Sequence, residues 1–79
     1  MKIRDLITFD PEILSGTPVF KGTWVSIESL FRHLEKGVTI NEFLEDFPSV
    51  SRERVIELLE ISNKMMTTPK VVQIYETVA

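Results

Sequence analysis

The stretch Pro18-Val19-Phe20-Lys21-Gly22-Thr23-Trp24-Val25-Ser26 decides how this chain begins to fold. Two β-prone arms, Val19-Phe20 and Thr23-Trp24-Val25, stand on either side of Lys21-Gly22. Gly22 can adopt the positive φ that a two-residue hairpin turn requires. Ser26 is a good N-cap for a helix that follows. The stretch therefore predicts a tight β-hairpin that runs directly into a helix.

The same helix-start signal occurs three times along the chain. Ser26, Thr39 and Ser51 each follow a valine, and an apolar residue stands four positions after each of them. The hydroxyl oxygen can cap the helix, and the valine can pack on the apolar residue as a hydrophobic staple. Three helices are therefore predicted, ending before Gly37, before Pro48 and near Met66.

The segments outside these helices are less regular. Ile7-Thr8-Phe9 predicts a short strand, and Asp10-Pro11 predicts one helical turn that ends at Ser15-Gly16. Residues 69–79 are rich in Val, Ile, Thr and Tyr, which favours a strand or an adaptable arm. We predict a mainly α fold: a three-helix, helix-turn-helix-like domain preceded by a short N-terminal β-strand and a β-hairpin. This domain occupies residues 1–68, and the C-terminal strand or arm occupies residues 69–79.

Length and composition restrict the class of protein. With 79 residues, 43% hydrophobic and 27% charged, the sequence is typical of one small globular domain, which is marginally stable as a monomer. It contains no cysteine, so disulfides and thiolate metal sites are excluded. The chain lacks both an apolar run of ~20 residues and the apolar core of a signal peptide. We therefore expect a cytoplasmic protein without a membrane partner.

The charge distribution bears on nucleic-acid binding. Residues 27–63 contain four basic and eight acidic side chains, which disfavours contact with phosphates. In a helix-turn-helix motif the third helix would contact DNA with its outward face. The polar stripe on that face consists of three glutamates and a lysine: Glu53, Glu57, Glu60 and Lys64. Either Ser51, Arg52 and Arg54 at the start of the helix contact DNA, or the face is solvated and carries a Glu60–Lys64 ion pair.

Three apolar side chains have no obvious place in the core. Ile61 and Met65 lie about 100° from the core stripe of the third helix, as follows from 3.6 residues per turn. Either a symmetry mate or the C-terminal tail would cover them. Trp24 either packs on the helices or provides a contact at an interface.

The sequence contains no recognisable catalytic constellation. Paired-histidine, glycine-rich phosphate-binding and nucleophile-elbow motifs are missing. The one histidine, His33, falls on the polar side of the first predicted helix, where a surface position is expected. We therefore expect neither an enzyme nor a cofactor.

The order and spacing of several short motifs resemble one protein family. Ile7 to Ile13, Ser15 to Thr23, and a helix opened by Val25-Ser26 are similar to domain-of-unknown-function family 433, which is itself similar to VapB-type antitoxins. Gly37-Val38-Thr39 and Glu45-Asp46-Phe47-Pro48 match the family's later pattern. The resemblance covers about residues 7 to 62. Trp24 stands where the family often has a basic residue.

The resemblance implies a dimeric, helix-turn-helix-like protein whose gene is paired with that of a PIN-type ribonuclease toxin. The resulting hypothesis is an antitoxin that dimerises, neutralises the toxin and represses its own operon by binding operator DNA. The alternative is a protein-interaction or oligomerisation module that does not bind nucleic acid. The candidate partner-binding residues are Trp24, Ile61, Met65, Val72, Ile74 and Tyr75.

Overall fold

The computed structural model describes residues 3–78, except for the side chains at positions 71 and 78. The described residues are mainly helical, as predicted, and a short antiparallel sheet lies near the N-terminus. In chain order the elements are α1 (Ile3–Leu6), β1 (Ile7–Thr8), a 3-10 turn (Leu14–Gly16), β2 (Val19–Phe20), α2 (Ile27–Glu35), α3 (Ile40–Asp46), α4 (Arg52–Met66) and α5 (Pro69–Val78). None of the described helices is long and apolar enough to cross a membrane.

The three predicted helix starts are confirmed. Each capping hydroxyl accepts a hydrogen bond from the backbone N–H three residues later, at 3.0 Å for Ser26, 3.1 Å for Thr39 and 3.3 Å for Ser51. The helices begin directly after these caps, at Ile27, Ile40 and Arg52. Local capping chemistry therefore determines where α2, α3 and α4 begin.

The predicted hairpin is formed only in part. β2 pairs antiparallel with β1, so that Ile7 lies opposite Phe20. The arm over residues 23–25 forms no strand, and the returning chain is joined to β2 by a single bridge between Val19 and Ser26. Because the Phe20 N–H donates to the Val25 carbonyl at 2.9 Å, the loop contains four residues rather than the two predicted.

Gly22 and Thr23 hold this loop together. Gly22 has a φ of +79°, the positive value expected for it. Thr23 is buried; its hydroxyl donates to the Phe20 carbonyl at 2.7 Å and accepts from the Val25 N–H at 3.0 Å. The threonine side chain thus provides the hydrogen bonds that a second strand would have provided.

The core lies between β2 and the three capped helices. Phe20, Leu30, Phe43 and Val55 have almost no exposed surface, and Val50 and Leu58 complete the same cluster. Helices α3 and α4 pack against each other across a connection over residues 47–51. This packing presents the N-terminal end of α4 on one side of the molecule.

His33 is part of the packing, and its expected surface position is wrong. The ring lies edge-on to Phe43 and Phe47, with centroids 5.4 Å apart in both pairs. Its Nδ1 atom lies 2.6 Å from the Ser29 carbonyl oxygen. His33 is half-buried because α3 packs against the side of α2 that carries it. The histidine thus contributes to the packing of α2 against α3.

The segment before β2 differs from the prediction. The Ile13 N–H donates to the Asp10 carbonyl at 2.9 Å, but no α-helical turn follows it. Instead Leu14, Ser15 and Gly16 have φ values of 50°, 57° and 83°. Three consecutive left-handed residues cannot continue a right-handed helix, so the turn at 14–16 projects Leu14 outward.

Both ends of the described chain are more helical than predicted. The short helix α1, which carries the buried Leu6, was not predicted. The strand considered for residues 69–79 is wrong, because Pro69–Val78 forms helix α5. Proline is well suited to the first turn of a helix, and the β-prone residues that follow have no strand to pair with. Every α5 side chain that the structure describes is exposed.

Candidate functional site

The predicted functional residues lie on four separate surfaces. Trp24 is in the loop after β2, the candidate DNA contacts are at the start of α4, and the remaining candidates are on the second half of α4 and on α5. Each surface has a different chemical character.

Trp24 is exposed, so the expectation that it packs on the helices is wrong. Its relative exposure is 70%, the highest among the large apolar side chains of the described residues. Trp24, Leu14 and Phe47 line an open depression of about 440 Å³. Leu14 reaches this depression because of its left-handed backbone conformation, which costs about 1 kcal/mol in a non-glycine residue. The Ser15-Gly16 pair marked a turn in the sequence, but nothing there indicated that Leu14 would face outward.

Ile61 and Met65 lie in an apolar groove, here called the α4 groove. Residues from the N-terminal segment form its other wall, and it encloses about 290 Å³. Met65 is 58% exposed. The described side chains of the C-terminal tail are exposed and do not line this groove, which contradicts the alternative in which the tail covers Ile61 and Met65. The groove is lined by Ile3, Leu6, Phe9, Leu58, Ile61 and Met65.

Helix α5 carries the last three candidates. Val72, Ile74 and Tyr75 are all more than half exposed, Tyr75 at 68%. Ile74 and Tyr75 are adjacent on the helix surface, and Lys70 lies one turn before Ile74. Ile74 and Tyr75 therefore form an apolar surface with a cation at its edge, whereas Val72 lies about 160° from Ile74, on the opposite side of the helix.

The candidate DNA contacts each have an internal partner. Ser51 caps α4, and the Arg52 guanidinium donates to Asn41 Oδ1 on α3. Arg54 is half-buried, and its Nη1 donates to the Asp5 carbonyl at 2.6 Å, which ties α1 to α4. Arg52 is exposed beside the exposed Ser51, whereas Arg54 has a structural hydrogen bond that sequence reasoning did not reveal.

The outward face of α4 is less uniform than expected. The predicted Glu60–Lys64 ion pair does not occur among the described residues, whose ion pairs join Arg32 to Glu28 at 3.2 Å and to Glu35 at 3.4 Å. The hydrogen bond that Arg32 donates to the Glu28 carboxylate raises the pKa of the Arg32 guanidinium, which stays charged in any case. Glu57 is half-buried, and its Oε2 atom is buried without a hydrogen-bond partner among the described residues.

The described residues offer no metal site. No group of three or more histidine, cysteine, aspartate or glutamate side chains within residues 3–78 is arranged to hold a metal ion. The four surfaces described above present apolar side chains and hydrogen-bonding groups.

Comparison with known proteins assigns the chain to a family. Residues 7–60 match the family described as protein of unknown function (DUF433). The chain belongs to the DUF433 family. It is also 35% identical over 52 residues to the uncharacterized protein y4eO of Sinorhizobium fredii (strain NBRC 101917 / NGR234), an alignment that covers 66% of this chain. The chain spans about a quarter (24%) of the length of that relative. No solved structure matches.

The DUF433 region divides the candidate residues into two groups. Residues 7–60 include Trp24 and the start of α4. Ile61, Met65 and all of α5 follow the matched region. Helix α5 therefore lies outside the matched region, whereas the α4 groove is lined by residues on both sides of its boundary.

Proposed function

We propose that this DUF433 protein is an antitoxin-like binding protein rather than an enzyme, and that α5 is the arm that binds and neutralises a partner protein. The observation that carries the proposal is the exposure of Val72, Ile74 and Tyr75 on helix α5, all of whose described side chains are exposed. An isolated helix of 10 residues is marginal in water, so a bound partner would supply the missing stabilisation. Tyrosine is also among the residues that contribute most at protein interfaces.

The class of partner follows from the resemblance to VapB-type antitoxins, which suggests a PIN-type ribonuclease. An amphipathic helix placed in a groove is a common mode of recognition. The exposed Trp24 offers a second aromatic contact on a separate surface. Binding by both surfaces would allow this small protein to contact a nuclease at two points.

Co-expression with the product of a neighbouring nuclease gene tests the proposal. We expect a stoichiometric complex and inhibition of RNA cleavage. Tyr75→Ala should weaken the complex about 30-fold, since an interface hot spot contributes about 2 kcal/mol. Gln73→Ala on the same helix is the control and should bind like the original protein. A complex that tolerates Tyr75→Ala and Ile74→Ala equally well would refute the role of α5.

Binding of operator DNA is a second candidate function. It is favoured by the helix-turn-helix-like succession of α3, a short connection and α4, with Ser51 and Arg52 exposed at the start of α4. The three glutamates along α4 oppose it. DNA binding would therefore depend on the first turn of the helix and on a homodimer that presents two such turns.

A gel-shift assay with the upstream DNA at low salt tests this second function. Ser51→Asp preserves the cap and adds a negative charge, so it should abolish binding without loss of stability. Ser51→Asn, which also preserves the cap but adds no charge, should bind normally. The absence of any shift at micromolar protein would favour the alternative, a protein-interaction module without a nucleic-acid role.

A further inference from the structure

The chain exposes more surface than a compact protein of its size. Its accessible surface is 5913 Å², whereas a folded monomer of 9.1 kDa is expected to expose about 4,900 Å². Its radius of gyration is 14.2 Å, against about 11.6 Å for a compact domain of this length. The excess of about 1,000 Å² resembles the ~800 Å² that each partner buries in a standard interface.

Two apolar surfaces contribute to this excess, and they have complementary shapes. One is the convex side of α5 that carries Ile74 and Tyr75. The other is the concave α4 groove beside Met65. Since the α5 side chains described are exposed, the helix does not occupy the groove of its own chain.

Charge at the edges of the two surfaces is complementary as well. Ile61 separates the α4 groove from a smaller polar depression that is lined by Glu57, Glu60 and Lys64, two acidic side chains and one basic. On α5 the exposed Lys70 lies one turn from Ile74. An α5 helix seated in the groove can bring Lys70 to the rim of this depression, where the acidic side chains outnumber the basic one.

We propose that α5 of one copy docks into the α4 groove of a second copy, and that the exchange is reciprocal. A two-fold axis makes both contacts identical, so one dimer buries two arms and two grooves. The exchange covers the exposed Met65, Ile74 and Tyr75 together and places Lys70 beside a depression with a net negative charge. It thereby removes the excess exposed surface of the isolated chain.

Disulfide trapping tests the exchange, because the chain contains no cysteine of its own. Met65→Cys and Tyr75→Cys are prepared as separate proteins, mixed and oxidised. We expect a disulfide-linked heterodimer that forms at least ten times faster than a homodimer of either variant alone. Faster linkage within the Tyr75→Cys protein alone would indicate pairing of α5 with α5 and would overturn the proposal.

Sedimentation of the cysteine-free protein provides an independent measurement. We expect a dimer whose Kd rises at least 10-fold on Ile74→Asp in the arm and on Met65→Asp in the groove. Gln73→Asp adds the same charge to α5 at a polar position and should leave the Kd within 2-fold. A mixture of the Ile74→Asp and Met65→Asp proteins retains one intact arm in one intact groove and should recover part of the dimer. A monomer at millimolar protein would overturn the exchange.

The inference goes beyond the proposed function because it requires no nuclease. A dimer without any nuclease complex would refute the proposed function and leave the exchange intact. A nuclease complex formed by a strictly monomeric chain would refute the exchange and leave the proposed function intact. If both occur, the nuclease competes for α5, and adding it should dissociate the dimer.

Discussion

Thr23→Val is the sharpest test of how the loop after β2 is built. Valine has nearly the shape of threonine but lacks the hydroxyl, which donates to the Phe20 carbonyl at 2.7 Å and accepts from the Val25 N–H at 3.0 Å. The Phe20 carbonyl keeps a second partner, the Thr23 backbone N–H at 3.0 Å. The Val25 N–H loses its side-chain acceptor within a partly buried loop.

The expected loss can be worked from these contacts. One net hydrogen bond contributes about 1 kcal/mol, and a buried donor left without a partner costs about another 1–3 kcal/mol. We therefore expect Thr23→Val to lower the free energy of unfolding by about 2–4 kcal/mol. In a domain of this size that corresponds to a fall in Tm of about 8–32 °C.

Thermal and urea unfolding, followed by circular dichroism at a fixed protein concentration, provide the measurement. Thr23→Ser keeps the hydroxyl and loses one methyl group, so it should cost only about 0.8 kcal/mol. Thr77→Val removes an exposed hydroxyl that donates to the Gln73 carbonyl at 2.9 Å and should change little. If Thr23→Val unfolds at the same midpoint as Thr77→Val, the hydroxyl does not hold the loop.

Three further substitutions test separate parts of the fold by the same unfolding assay. Gly22→Val should cost about 1–2 kcal/mol through its positive φ alone, since nothing lies within 4 Å of an added Cβ, while Gly22→Asn should be tolerated better. His33→Ala should cost about 1–2 kcal/mol by removing two edge-on aromatic contacts between α2 and α3, and an unchanged midpoint would place the ring outside the core. Arg54→Met should lower the free energy of unfolding by about 1–3 kcal/mol because it breaks the hydrogen bond to the Asp5 carbonyl. Arg52→Met, at an exposed position, should lower it much less. Equal losses of stability would contradict a structural role for Arg54 alone.

The sequence predicted best what local chemistry determines. The starts of α2, α3 and α4 depend on a hydroxyl and on backbone groups three residues away, so they could be placed to the residue. The positive φ of Gly22 follows in the same way from the turn around it. These features require no knowledge of distant contacts.

What depends on tertiary contacts was predicted less well. The sequence identified the polar side of α2. It did not indicate that α3 would pack against His33 on that side. β-Prone residues in the tail favoured a strand, yet a strand needs a neighbour, and without one Pro69 begins a helix. The hydrogen bond from Arg54 joins residues 49 positions apart, a separation that no local pattern reports. For Trp24 the sequence left two alternatives open, and the exposed position in a four-residue loop excludes packing on the helices.

The contacts of the two arginines connect the binding of operator DNA to the proposed exchange of α5. Arg54 donates a hydrogen bond to the Asp5 carbonyl of α1, so the main cation that a single copy presents to a phosphate is Arg52. The negative charge of the three glutamates on α4 opposes this contact. Each phosphate contact contributes about −0.9 to the slope of log K against log salt, so one or two contacts give weak binding. Two copies joined by exchanged α5 helices present twice that number on one DNA. Any operator binding by this protein should therefore decline together with the dimer, and the Ile74→Asp variant should lose both although it leaves the start of α4 unchanged.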